Sequence, residues 1–237
     1  MVEESPNRSE PQPEIGVVST AAVPVDEEAY RSHMEVVLAC RQCPTVQSTP
    51  VVGVAPGARI ILVGQAPGGR ERDQGRPFAH TAGRTLFNWF ARMGVSEDEF
   101  REKVHIVSVI RCFPGKNKSG GDRAPSPLEI KNCLPYLWTE IRMLRPGLIV
   151  PVGRLAVSKL IRKVKFDQAV GERYDLELEG HPTTLIPLPH PSGRSTWLND
   201  PANRRRLERA LHRLISDCLC WIRRTAQRRI DTPAARV

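Results

Sequence analysis

Four cysteines in two pairs are the residues of this chain with the plainest capacity for chemistry. Cys40 and Cys43 enclose two residues, whereas Cys112 and Cys133 enclose twenty. In a reducing compartment such cysteines bind metals rather than form disulfides. Zinc and a [4Fe–4S] cluster both accept four thiolates, so the number of ligands does not separate them. Zinc ribbons use two close pairs, and the wide second pair therefore favours a cluster.

Three further segments indicate a binding pocket. The loop at 64–68, Gly-Gln-Ala-Pro-Gly, presents backbone N–H groups but lacks the Lys-Ser/Thr of a phosphate-binding loop. Phe78, which follows Gly-Arg-Pro, is either a core aromatic or a surface on which a base stacks. His190 stands between two prolines, a setting that favours a fixed hydrogen-bond donor, with a capping role as the alternative.

The elements that position these segments alternate between strands and helices. Apolar runs predict strands at 59–63, 104–110 and 148–153, and a hairpin is predicted with arms at 175–179 and 183–188. Helical spacing separates the runs, which predicts an α/β protein with a mostly parallel sheet and helices on both faces. Ligands bind beyond the carboxyl ends of such strands. The residues expected at that edge are Gly64, Cys112, Gly153 and His190.

The ends of the chain differ from its middle in composition. Residues 1–25 are acidic and rich in proline, which predicts a disordered N-terminal tail. Residues 26–225 are expected to form one domain, and 226–237 a disordered basic C-terminal tail. Within the domain, Ser126, Pro127 and Glu129 mark the start of a helix by a capping box.

The charge of the chain indicates the class of partner. The 237 residues carry a net charge of +9, which favours a polyanion such as nucleic acid, although a solvated basic surface is the alternative. No apolar run has the length of a membrane span, and the N-terminus does not resemble a signal peptide. We therefore expect a monomer in the cytoplasm with no membrane partner.

The chain resembles the uracil-DNA glycosylase superfamily in four features and in their order along the sequence. They are the four cysteines, the loop at 64–68, the stretch from Glu71 to Phe78, and His190-Pro191-Ser192. The resemblance is to its family-4, iron–sulfur branch and covers roughly residues 35–214. It implies a three-layer α/β/α sandwich around a four-stranded, mostly parallel sheet. It also implies hydrolysis of the bond between uracil and deoxyribose in DNA, single- or double-stranded, after the base has left the stack.

The resemblance assigns a role to each segment. His190 would donate to uracil O2, Phe78 would stack on the base, and the loop at 64–68 would contact uracil and line the water site. Ser192 and Arg194 would lie near the phosphates or on the minor-groove side of the DNA. The residues that would bind the substrate are Gly64, Gln65, Ala66, Pro67, Gly68, Phe78, Ser108, His190, Ser192 and Arg194. The ligands of a [4Fe–4S] cluster, a structural clamp, would be Cys40, Cys43, Cys112 and Cys133.

Two positions depart from the family pattern. Gln65 stands where the family commonly has Glu, and an amide can position a water but cannot accept its proton. Glu71 or Asp73 would then orient the water, unless these are surface carboxylates. Ser108 stands where the family often has the Asn that reads uracil, and a hydroxyl makes fewer hydrogen bonds than an amide.

These departures keep alternatives open. One is a glycosylase whose main substrate is another deaminated base, and another is a DNA-binding relative without catalysis. A third is a relative in which a histidine attacks the sugar; His80 does not occupy an obvious equivalent of that histidine. The loop at 116–122 is longer than the family pattern and is either an extra DNA contact or a solvated insertion.

Overall fold

The computed structural model describes residues 25–193 and 195–230. A single five-stranded sheet lies at its centre. The strands are β1 (Ile60–Gly64), β2 (Val104–Ser108), β3 (Leu148–Pro151), β4 (Tyr174–Leu178) and β5 (His181–Leu185). Their order across the sheet is β2-β1-β3-β5-β4, and the first four of these run parallel.

The fifth strand, β4, is a difference from the four-stranded sheet that the family resemblance implied. It pairs antiparallel with β5 and forms an edge of the sheet. Its residues alternate between half-buried and exposed, with Tyr174, Leu176 and Leu178 turned toward the core. This period of two is typical of a strand with one solvated face. The predicted hairpin is therefore confirmed, and its first arm extends the sheet.

Helices precede and follow the strands in the predicted alternation. They are α1 (Glu27–Ala39), α2 (Gly69–Gln74), α3 (Thr81–Ala91), α4 (Glu97–Lys103), α5 (Pro127–Leu144), α6 (Arg154–Leu160), α7 (Phe166–Ala169) and α8 (Pro201–Ile230). A short 3₁₀ helix spans Thr196–Asn199. The capping box at the start of α5 is present, because Ser126 accepts from the backbone N–H of Glu129 while the Glu129 carboxylate accepts from that of Ser126.

The helices cover the sheet in two layers. Along β1, Ile60 and Leu62 pack with apolar side chains of α3, α4 and α8. Ile61 and Val63 point the other way and pack with α1, α5, α6 and α7. Both faces of β1 and β3 are thus buried, which explains their unbroken apolar sequences. The predicted α/β/α sandwich with a mostly parallel sheet is confirmed.

Parts of the expected tails lie outside the described residues, namely 1–24 and 231–237. Helix α8 continues to Ile230 and so includes residues 226–230, which the sequence analysis assigned to the C-terminal tail. Among the described residues, no helix has both the length and the apolar character needed to cross a bilayer.

Candidate active site

A cavity of about 910 Å³ opens at the carboxyl ends of the parallel strands. The loops that follow β1, β2 and β5 all contribute to its wall, as expected for a parallel sheet. The residues that the sequence predicted for the site and that line the cavity are Gln65, Ala66, Pro67, Gly68, Glu71, Asp73, Phe78, Ser108, His190 and Ser192. Arg194 lies outside the described residues.

Gly64 lies beneath the cavity rather than on its surface. It is paired in register with Ser108 on the neighbouring strand. A Cβ atom on Gly64 would lie 3.0 Å from the Ser108 hydroxyl and 3.1 Å from the Phe78 ring. The absence of a side chain at Gly64 therefore lets the hydroxyl and the ring approach the same point.

Phe78 is held in an uncommon backbone conformation. Its φ angle is 51°, in the left-handed region that a bulky side chain rarely adopts. The guanidinium of Arg101 donates to the carbonyl of Pro77 at 2.9 Å and to that of Phe78 at 3.0 Å. A Cβ on Gly83 would lie 1.7 Å from the Phe78 carbonyl oxygen, so only glycine fits there. These contacts fix the direction of the Phe78 ring.

His190 is positioned with a defined donor atom. The backbone N–H of Ser192 donates to its Nδ1 at 3.2 Å. Burial lowers the pKa of His190 below its ordinary value, which favours the neutral ring. A neutral imidazole that accepts at Nδ1 carries its hydrogen on Nε2. His190 can therefore offer one N–H donor to a ligand in the cavity.

The Glu71 carboxylate bonds to the backbone around the cavity. It accepts from the N–H of Gly68 at 2.5 Å, which closes the first turn of α2, and from the N–H of Phe78. Burial raises the pKa of Glu71 above its ordinary value, although these two N–H groups act in the opposite direction. Glu71 thus joins the loop at 64–68 to Phe78.

The other residues named for water chemistry differ in exposure. Asp73 is half-exposed and forms an ion pair with Arg72 at 2.8 Å. Gln65 is half-buried, lines the cavity and uses its carbonyl to accept from the N–H of Ile110 at 3.2 Å. Within the 64–68 loop, Gln65 is the residue that has a polar side chain, an amide.

The loop at 116–122 is an ordered hairpin that the sequence did not place. Lys116 and Asp122 form an antiparallel bridge, and the Asn117 side chain accepts from the N–H groups of Ser119 and Gly121. Asp122 lines the cavity, and its Oδ2 lies 3.0 Å from the position of a Cβ on Gly68. Glycine and asparagine in the loop predict tight turns but not the direction in which the hairpin points.

His80 also lines the cavity, although the sequence offered no reason to place it there. It is exposed, and its Nδ1 lies 3.0 Å from the Thr81 hydroxyl at the start of α3. Four basic side chains of the cavity wall could face phosphates: Arg70, Arg72, Lys116 and Arg123.

The four cysteines line a second, smaller cavity of about 140 Å³. They come from the end of α1, the loop after it, the loop after β2 and helix α5, and all four thiols are free. Burial and the neighbouring thiols raise the pKa of Cys112 to about 12. Two hydrogen bonds reach the sulfurs: the backbone N–H of Arg111 donates to Cys133 at 3.2 Å, and the Asn132 amide to Cys43 at 3.6 Å.

The number and arrangement of these thiols indicate which kind of metal group they could bind. Within residues 25–193 and 195–230, no group of three or more His, Cys, Asp or Glu side chains forms a site for a metal ion. A tetrahedral zinc site would need four sulfurs at about 2.3 Å from one centre. Four thiols around a cavity, with N–H donors to two sulfurs, fit a larger iron–sulfur cluster better than a single ion.

A buried ion pair connects the two cavities. Arg111 is 1% exposed and follows Ser108 by three residues; its guanidinium donates to the Ser108 carbonyl and, at 2.7 Å, to Glu140. The Nε2–H of His105 donates to the same Glu140 oxygen at 2.9 Å. Burial acts to raise the pKa of Glu140, but Arg111 and His105 hold it well below its ordinary value. Arg111 thus links the end of β2 at the large cavity to Cys133.

Comparison with known proteins agrees with this geometry. The sequence profile of the uracil DNA glycosylase superfamily matches residues 51–215. A type-4 uracil-DNA glycosylase from Archaeoglobus fulgidus is 31% identical over 164 residues, which cover 66% of this chain and 78% of that protein. One from Thermotoga maritima is 33% identical over 171 residues, which cover 70% of this chain and 83% of that protein.

A more distant relative matches a shorter stretch. A type-5 uracil-DNA glycosylase from Pyrobaculum aerophilum is 30% identical over 116 residues, which cover 44% of this chain and 49% of that protein. The residues that match the superfamily profile include every strand of the sheet and every residue that lines the large cavity except Gln47. The chain belongs to the uracil DNA glycosylase superfamily.

Proposed function

We propose that this protein is a uracil-DNA glycosylase that acts in base excision repair. It takes a uracil out of the DNA stack and hydrolyses the bond between the base and deoxyribose, which leaves an abasic site. The observation that carries the proposal is the presence of Phe78 and His190 in one cavity. Phe78 supplies an aromatic face at a fixed angle, and His190 a neutral ring with its donor at Nε2.

Base capture depends on Phe78 and on the loop at 64–68. The flipped base stacks on the Phe78 ring, which compensates part of the stacking lost in the duplex. Gly64 and Ser108 lie against that ring, so the polar edge of the base reaches the ends of β1 and β2. The backbone of the loop, with Ala66, Pro67 and Gly68, forms the wall beside the base.

Bond cleavage depends on His190. The electron pair of the broken C1′–N1 bond passes to uracil, and negative charge builds at its O2. The Nε2–H of His190 donates to that oxygen, and a fixed donor aimed at developing charge stabilises the transition state. A neutral donor is available without prior protonation, because burial lowers the pKa of His190.

Water addition completes the hydrolysis. Gln65 orients a water with its amide, and Glu71 holds the loop that carries Gln65 and Gly68. The Asp73 carboxylate also lies at the cavity wall, where its ion pair with Arg72 at 2.8 Å competes with a role in holding the water.

Binding of DNA relies on charge around the cavity. Arg70 and Lys116 on its wall, together with a net charge of +9, attract phosphates without reading sequence. Ser192, which lines the cavity beside His190, contacts the phosphates on that side. The same proposal includes a monomeric protein in the cytoplasm, which gel filtration and cell fractionation would test.

The cysteines complete the proposal. A [4Fe–4S] cluster is held by Cys40, Cys43, Cys112 and Cys133, and it supplies a structural cross-link between α1, the loop after β2 and α5. Stoichiometric iron and acid-labile sulfide in the purified protein are the expected result. Zinc without sulfide would contradict the cluster but not the glycosylase activity.

A second candidate substrate class is supported by Ser108. Its side chain is small, and it lies at the strand end against which the base edge would rest. A hydroxyl there makes fewer hydrogen bonds with uracil than an amide would and leaves room for another group. Other deaminated bases are therefore included among the substrates to be compared.

The test uses oligonucleotides with a single modified base. Single- and double-stranded DNA that contains uracil, hypoxanthine or xanthine is incubated with the protein, and abasic sites are then cleaved with alkali. Strand breaks at uracil are the expected result, and stronger cleavage at another base would favour the second candidate. No strand break with any deaminated base would contradict both and would leave a DNA-binding protein without catalysis.

A further inference from the structure

Three carboxylates line the large cavity, and they differ in what they already bond. They are Glu71, Asp73 and Asp122. The Glu71 carboxylate accepts from the N–H groups of Gly68 and Phe78, and that of Asp73 is paired with Arg72. Among the described residues, the carboxylate of Asp122 has no hydrogen-bond or ion-pair partner, although the side chain faces the cavity.

The position of Asp122 is fixed by its hairpin. The N–H of Asn117 donates to the carbonyl of Gly121 at 2.7 Å, and the N–H of Arg123 donates to that of Gly115 at 2.9 Å. The Arg123 guanidinium then donates to both oxygens of the buried Glu129, at 2.9 and 2.5 Å. Hydrogen bonds on both sides of Asp122 thus hold its backbone at the cavity.

The hairpin carries Asp122 directly over the loop at 64–68. Its Oδ2 lies 3.0 Å from the position that a Cβ on Gly68 would occupy, and Glu71 Oε2 lies 3.5 Å from the same position. Any larger residue at Gly68 would push Asp122 away. Asp122 therefore faces the loop whose second residue, Gln65, cannot accept a proton.

From this we infer that Asp122 is a further catalytic residue, which accepts the proton of the attacking water. The inference rests on the proposed function. The C1′–N1 bond breaks and its electron pair goes to uracil; the water oxygen bonds to C1′, and one water proton passes to Asp122. That proton later passes to the uracil anion through solvent, so the products are neutral uracil and an abasic sugar.

One carboxylate could both orient the water and accept its proton. In this arrangement the two tasks are divided between two residues. Gln65 orients the water with its amide from the 64–68 loop, and Asp122 supplies the base from the hairpin that lies over this loop. A positioned general base contributes about 10²- to 10⁴-fold to the rate of such a step. The loop at 116–122 is then part of the catalytic machinery rather than a solvated insertion.

The test compares Asp122→Asn with the wild type under single-turnover conditions on uracil-containing DNA. The variant should cleave about a hundredfold more slowly, the lower end of the range for a general base. Its affinity for DNA with 2′-fluoro-deoxyuridine, which binds but is not cleaved, should change by less than about threefold, because the base acts after binding. Asp98→Asn, the same change at an exposed position in α4 away from the cavity, is the matched control and should cleave at the wild-type rate.

A double variant separates loss of the carboxylate from loss of the hairpin. Gln65→Glu combined with Asp122→Asn should cleave at least about tenfold faster than Asp122→Asn alone, because a carboxylate is restored on the 64–68 loop itself. Wild-type rate in Asp122→Asn, or equal losses in rate and analogue affinity, would overturn this assignment alone. Absence of cleavage by the wild type would overturn the proposed function and this assignment with it.

Discussion

The guanidinium of Arg101 holds the backbone of Phe78 from a helix that lies 23 residues further along the chain. It donates to the Phe78 carbonyl at 3.0 Å, and its own Nε bonds Glu97 at 2.8 Å. Arg101 also lies over the Phe87 ring at 4.4 Å. These contacts offset the cost of the left-handed backbone at Phe78, about 1–3 kcal/mol for such a residue.

Arg101→Met should therefore impair base capture more than folding. Without the guanidinium, Phe78 relaxes toward a common backbone conformation and its ring leaves the angle needed for stacking. We expect a single-turnover rate on uracil DNA about tenfold lower, since stacking contributes about 1–3 kcal/mol per base. A weaker fluorescence rise from 2-aminopurine placed beside the uracil would report the loss of flipping. Arg101→Lys should recover little, because an ammonium does not reach two carbonyls with a planar fork.

Arg92→Met is the control for this prediction, because Arg92 forms an exposed pair with Glu208 away from the cavity. Its loss should alter neither rate nor fluorescence, as is usual for surface pairs. A normal 2-aminopurine signal in Arg101→Met would show that Phe78 keeps its place without the guanidinium.

His190→Ala should lower the rate of cleavage about 10²- to 10³-fold, the usual loss of one fixed donor to a developing oxyanion. DNA affinity should change little, since the donor acts as charge builds on the base. Single-turnover cleavage and binding to the uncleaved analogue measure the two effects separately. An unchanged rate would contradict the role of His190.

The protonation state of His190 gives the same role a second signature. Burial lowers its pKa below the ordinary 6.5, so the neutral ring predominates at pH 6.5 and above. Because the neutral form is the active one, His190 should cause no loss of rate between pH 6.5 and about 8. A rate that falls as pH rises through 6.5 would instead indicate a cationic His190.

Much of the fold could be predicted from the sequence because its signals are local. Apolar runs at β1 and β3, and one interrupted only by His105 at β2, predict strands with two buried faces, and the capping box at Ser126 marks the start of α5. Helix α2 has no buried residue and hence no apolar period to detect. Helix α4 could have been found from its N-cap Ser96 and its acidic first turn.

In the candidate site, too, some residues could be predicted from the sequence and others could not. Gln65, Ser108 and His190 follow strand ends, and the parallel topology alone brings them together. Arg101 reaches the Phe78 backbone, and Asp122 reaches the cavity, only through the packing of α4 and the direction of a hairpin. Neither depends on a spacing that can be counted along the chain, so a sequence without its fold does not reveal them.

Ser108→Asn should sharpen the preference for uracil. Ser108 is 5% exposed and lies opposite Gly64, where an amide would present both a donor and an acceptor to the base edge. A matched pair of hydrogen bonds contributes about 1–3 kcal/mol of discrimination, so the ratio of uracil to hypoxanthine cleavage should rise about tenfold or more. Competition between the two oligonucleotides in one reaction measures this ratio. An unchanged ratio would show that Ser108 does not face the base.

Glu129→Gln should destabilise the protein in a pH-dependent manner. Glu129 is buried and accepts from Arg123, Thr45 and the N–H of Ser126. Arg123 is the main reason that its pKa falls from 4.5 to about 2. Because the folded protein lowers this pKa, ionised Glu129 stabilises the fold above pH 4.5, and this contribution is lost as pH falls toward 2.

The loss in the variant should accordingly be about 2 kcal/mol at pH 7 and should shrink at progressively lower pH below 4.5. Urea unfolding of both proteins at several pH values measures the difference, and Glu208→Gln, which removes an exposed pair, should show almost none. A constant difference in the free energy of unfolding at every pH would mean that the ionised pair with Arg123 is not what stabilises this part of the fold. The hairpin that carries Asp122 is anchored by the same pair, so cleavage should weaken along with stability.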